Sequence, residues 1–162
     1  MTVKLWPVWL YAGLLITGCV VLGDRGDEIT STRARDLIHR NVLLGDDQYP
    51  IDDPRAYQYG NVHVDGASGG MLYRFASNSD ALEWIVESHR LQETTIETGD
   101  QLPFDFLDDR PRWWDPWKAN PSAFYIFAEE FATGGKRQFI LVFDSSAGVI
   151  YAVEHYSDMP GI

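Results

Sequence analysis

The last third of the chain leaves little choice of fold. Three aromatic and β-branched runs, AFYIFAEE (residues 123–130), KRQFILVFD (136–144) and VIYAVEHY (149–156), are separated by two short gaps that each hold glycine. Gaps that short close hairpins and leave no room for crossover helices, so the spacing predicts an antiparallel meander and excludes a parallel doubly wound sheet. In the middle run Phe139, Leu141 and Phe143 alternate with Ile140 and Val142, and both sets are apolar. A strand apolar on both faces sits centrally, with cover on each side.

Upstream, STRARDLIHRNVLL (31–44) places Ala34, Leu37, Ile38 and Val42 at helical spacing, with Ser31 or Thr32 to open the helix and Gly45 to end it. SDALEWIVESHRL (79–91) predicts a second helix, capped by Ser77 or Asn78, with Ala81, Leu82, Ile85, Val86 and His89 on one face. Residues 71–76 alternate as a half-buried strand, and 61–64 read as a short extended segment. The stretch 46–54 holds four Asp and two Pro, which is loop chemistry. Residues 92–120 read as irregular, and the four prolines between 102 and 121 exclude a long helix or a central strand there. The expected architecture is α+β: an antiparallel β-sheet of four to five strands packed against two helices, with a Trp/Pro-rich loop. A chain of 162 residues fits one such domain.

The beginning of the chain carries a different signal. Lys4 and the chain amine form a positive flank; LWPVWLYAGLLITGCVVLG (5–23) follows without a charge, and then come Asp24, Arg25, Asp27 and Glu28. A positive flank stays on the cytoplasmic side while the apolar run enters the bilayer, so the rest of the chain is expected beyond the cytoplasmic membrane. Ile16, Thr17, Gly18 and Cys19, the only cysteine, stand at the end of a stretch of signal-peptide length. This tetrapeptide resembles the lipobox of bacterial lipoprotein precursors. The resemblance implies cleavage before Cys19, lipidation (palmitate among the acyl groups) of its thiol, and membrane attachment through that N-terminal anchor. It divides the chain into a signal peptide (1–18), a lipidated Cys with tether (19–30) and a single globular domain (31–162). Val20 is not the aspartate that resembles an inner-membrane retention signal, which points to the outer membrane, facing the periplasm. Val20, Val21 and Leu22 extend the apolar run to the length of a membrane span, so an uncleaved single-span anchor is the alternative.

Composition narrows the chemistry. A formal charge of -11 with no basic patch opposes nucleic-acid binding. A single Cys permits no intrachain disulfide and no thiolate zinc site, and the four His show no HExxH spacing. Asp46, Asp47, Asp52 and Asp53 lack the spacing of a calcium loop and read as a solvated acidic turn. Gly66 to Gly70 copies the pattern of a nucleophile elbow around Ser68, with Asp144 and His155 downstream, but an elbow needs a helix after the serine and here a strand follows. No catalytic residue, metal centre or cofactor is assigned.

One constellation resists a purely structural explanation. Trp113, Trp114 and Trp117 lie among Asp109 and Asp115, with Arg110 and Arg112 placed to pair with these acids. The rings form either a lid over one sheet face or a surface for an envelope protein or glycan; paired carboxylates in such a groove also serve glycoside hydrolysis. If the backbone there is extended, adjacent Trp113 and Trp114 point in opposite directions, so one is expected buried and one exposed. The functional expectation is a membrane-anchored interaction or structural protein of the cell envelope. A periplasmic hydrolase or binding protein acting on glycan or peptidoglycan is the alternative.

Overall fold

The computed structural model describes residues 26–60, 68–95, 110–116, 123–132 and 134–157. The elements run β1 (Asp27–Ile29), α1 (Ser31–Asn41), β2 (Asp52–Gly60), β3 (Gly69–Ala76), α2 (Ser79–Ser88), β4 (Gln92–Thr94), β5 (Ala123–Glu130), β6 (Lys136–Asp144) and β7 (Val149–Ser157). All seven strands form one antiparallel sheet in the order β1-β2-β3-β7-β6-β5-β4. The chain is therefore α+β, with the predicted C-terminal meander in place.

The expected four to five strands are corrected to seven. β1 and β4 are three-residue edge strands, too short to display alternation; β1 lies in the stretch read as tether and β4 in the stretch read as irregular. β2 begins inside the Asp/Pro stretch read as a loop. Its register shifts between Asp52 and Arg55, and Asp53 takes a positive φ of 45°. That irregularity absorbs Pro54, which cannot donate to a ladder, and regular pairing resumes at Arg55. The segment 61–64 lies outside the described residues.

Strand alternation splits the core in two. Tyr73, Phe75, Phe139, Leu141, Ile150 and Ala152 face the helices and pack with Ala34 and Ile38 of α1 and Leu82 and Ile85 of α2. Leu72, Ile140, Val142, Val149, Tyr151 and Val153 face the other way, where Trp114 packs on them. Both helices therefore cover one face of β6, and the Trp segment covers the other.

Local chemistry explains the helix ends. Asn78 caps α2 by accepting the Ala81 N–H at 2.9 Å. Thr30 occupies the N-cap of α1 without a side-chain bond, so Ser31 and Thr32 lie inside the helix rather than capping it. Past its C-terminus the chain turns through Gly45, at φ 87°, whose N–H reaches the His39 carbonyl. Two rings from the second helical segment satisfy carbonyls left over there. Trp84 donates to Leu43 O at 3.2 Å, and His89 Nε2 donates to Val42 O at 2.9 Å while stacking on Phe139 at 4.3 Å.

His89 is thus a core imidazole. Burial, opposed by its bond to Val42, lowers its pKa, and burial also lowers that of His155. The unfolded chain then binds more protons than the folded one below the ordinary histidine value of about 6.5. Stability is fully present above that pH and declines as pH falls toward the lowered folded values. Urea midpoints at pH 7.5 and 5.5 are expected to differ less in His89→Gln than in the parent.

Candidate binding cleft

The site is built on the second sheet face, along β2, β3 and β7. Arg55 and Arg74 are directly opposed in the β2–β3 register, an arrangement of like charges that is unfavourable without compensation. The bulge supplies it: Asp53 accepts from Arg74 Nη1 at 2.5 Å and lies 3.5 Å from Arg55 Nε. Partial desolvation acts to raise the Asp53 pKa, but the Arg74 bond and both guanidinium charges outweigh it and hold the carboxyl below its ordinary range. Arg74 also stands 6.0 Å from the centre of the Tyr151 ring.

Over this floor lie residues 110–116, turned by a bond from Trp114 N–H to Pro111 O at 2.9 Å. The two tryptophans diverge. Trp114 is 1% exposed and packs edge-on against Tyr151 at 5.4 Å. Trp113 stays partly exposed, stands edge-on to Trp114 at 6.2 Å, and donates from Nε1 to Glu28 of β1 at 3.1 Å. One ring seals the core and the other forms a wall above it.

Two open hollows meet at that wall. The first, about 620 Å³, is lined by Glu28, Arg55, Tyr57, Arg110, Arg112 and Trp113. The second, about 370 Å³, is lined by Asp53, Arg74, Asp115, Asp144 and Tyr151, and shares Arg55 and Trp113 with the first. The hollows adjoin at these two residues and make a two-lobed cleft: the first lobe is cationic, and the second holds three carboxylates beside Arg74. Among the described residues neither Arg110 nor Arg112 forms an ion pair or hydrogen bond; Asp109, one of the acids expected to pair with them, lies outside the described residues.

Of the residues singled out in the sequence, the structure brings Trp113 and Asp115 into the cleft and puts Trp114 beneath it. Trp117, Asp109 and Cys19 lie outside the described residues. Arg55, Arg74, Asp53 and Tyr57 were not foreseen as part of this surface, because only the pairing of β2 with β3, and of β3 with β7, carries them to a segment some 40 to 60 positions away.

The other candidates disperse. Ser68 is exposed and is followed directly by β3, not by a helix. Asp144 accepts from Ser146 N–H at 3.0 Å, the Ser146 hydroxyl at 2.6 Å and Ala147 N–H at 3.2 Å, which fixes the β6–β7 turn. His155 instead meets the Tyr59 hydroxyl, 2.9 Å from Nδ1, near the opposite end of that hairpin. Six residues of strand put Asp144 and His155 roughly 20 Å apart, too far for a catalytic triad. Asp46 is engaged by Gln48 and Asp47 by His39, while Asp53 serves the two arginines, so the acidic stretch does not converge on a cation.

No protein-family model, curated protein or solved structure matches the chain.

Proposed function

We propose that this chain is a lipid-anchored protein of the bacterial cell envelope that works by binding, through the cleft walled by Trp113. The observation that carries the binding role is the divergence of the adjacent tryptophans: Trp114 closes the core, while Trp113 stays partly exposed as a wall beside the exposed Arg110 and Arg112. Catalysis of glycoside hydrolysis is the weaker reading. A general acid needs a carboxyl with a raised pKa, and Asp53 is shifted the opposite way. Asp144 is committed to its turn.

The anchor rests on the Ile16 to Cys19 tetrapeptide and its flanks. The mature protein from host membranes is expected to have the intact mass of a lipidated chain beginning at Cys19, and globomycin is expected to accumulate the precursor. An unacylated chain retaining Met1 in untreated cells contradicts lipidation and favours the uncleaved anchor. The binding role is tested by co-sedimentation with lipid-stripped envelope fragments in mild detergent, which keeps the acyl anchor from sedimenting the protein by itself. Trp113→Ala is expected to weaken it about thirtyfold, as loss of a central aromatic contact does; unchanged sedimentation contradicts it.

A further inference from the structure

The two lobes of the cleft differ in chemistry, and that difference selects a class of ligand. In the first lobe, among the described residues, Arg55, Arg110 and Arg112 line the hollow with one acid, Glu28, which also accepts the Trp113 N–H; Arg55, at the border of the lobes, also faces Asp53. Three guanidiniums gathered in a chain of charge -11 make this a local anion site, and an arginine fork matches a carboxylate in plane and spacing. The second lobe presents Asp53, Asp115 and Asp144 against one further guanidinium, Arg74, which Asp53 holds, so acid stays in excess there. Carboxylates there accept hydrogen bonds from hydroxyl groups but repel further negative charge. Trp113 stands between, a flat apolar surface shared by both lobes.

A ligand that fits all three parts carries one carboxylate, several neutral hydroxyls and a flat C–H face. We propose that the cleft binds a carboxylate-bearing saccharide, a sugar acid within a glycan, with its carboxylate on Arg110 and Arg112, its ring against Trp113 and its hydroxyls toward Asp53 and Asp115. This inference rests on the reading of the cleft as the binding face. A uniformly acidic peptide satisfies the first lobe and is repelled by the second. A neutral glycan leaves the guanidiniums without an anion. Because the arginines are exposed, the interaction weakens as salt rises.

The test uses the full chain purified in mild detergent, titrated calorimetrically with trigalacturonate, its fully methyl-esterified form, and hexaglutamate. Trigalacturonate is expected to bind at least tenfold more tightly than either control, and Arg112→Gln is expected to cost about tenfold while leaving the fold unchanged. Equal binding of the ester or of hexaglutamate, no effect of Arg112→Gln, or no binding of trigalacturonate each overturns the inference. If trigalacturonate fails while Trp113→Ala still releases the protein from lipid-stripped envelope fragments, the sugar-acid assignment alone falls. If both fail, the binding face falls with it.

Discussion

Trp114→Ala is expected to cost about 3 to 5 kcal/mol of folding stability, the transfer free energy of a buried indole together with the cavity it leaves. Trp114 is 1% exposed and rests on the sheet face formed by Leu72, Ile140, Val142, Val149, Tyr151 and Val153. Among the described residues no helix lies on that side to close over the space. A loss of this size is a large part of the 5 to 15 kcal/mol typical of a domain. Urea unfolding followed by circular dichroism reads it directly. A change under about 1 kcal/mol would mean that the indole is not part of the core.

The second large effect lies on the helical face of the sheet. Glu154 is 7% exposed, and its Oε1 accepts from Arg137 Nε at 3.2 Å, Arg137 Nη2 at 2.9 Å and the Tyr156 hydroxyl at 2.7 Å. A carboxylate this buried depends on its partners, since its desolvation is offset only by their charge and hydrogen bonds. Removing Arg137 leaves the tyrosine alone. Loss of one partner from a fully buried pair costs roughly 3 to 5 kcal/mol. The Arg137 side chain is 26% exposed, so Arg137→Ala is expected to cost about 2 to 3 kcal/mol once solvent screening is allowed for. Replacing both groups, Arg137→Met with Glu154→Leu, is expected to recover most of the loss because no charge is then stranded. If the double variant is as unstable as the single one, the cost comes from packing and not from the buried charge.

Local signals in the sequence were legible where they repeat. The α2 stripe of Ala81, Leu82 and Ile85, its Asn78 cap, and the alternation of β6 each extend over several residues, and all are realised. The short edge strands had no such repetition. β2 was hidden for a different reason: an Asp-Asp-Pro start is loop chemistry unless a bulge removes the proline from the ladder, and the bulge depends on Arg74 across the sheet holding Asp53. The cleft was half visible. The Trp and Asp cluster stood out by composition, but the arginines that give its floor a charge arrive through strand pairing, which no local window contains. Divergence of Trp113 from Trp114 follows from adjacency for an extended backbone; the segment is instead turned at Trp113 and the rings still diverge, with the inward one set by the apolar side chains on β3, β6 and β7.

The central claim is that Trp113 serves binding while Trp114 serves the fold. It is tested most directly by measuring, on the same Trp113→Ala protein, the urea midpoint and the affinity for lipid-stripped envelope fragments per folded molecule. Trp113 is partly exposed and lies at the border of the packed cluster, so its removal is expected to cost about 1 kcal/mol of stability or less. Affinity is expected to fall about thirtyfold. A midpoint shift as large as that of Trp114→Ala, with affinity per folded molecule unchanged, would contradict the account and make the whole 110–116 segment part of the core.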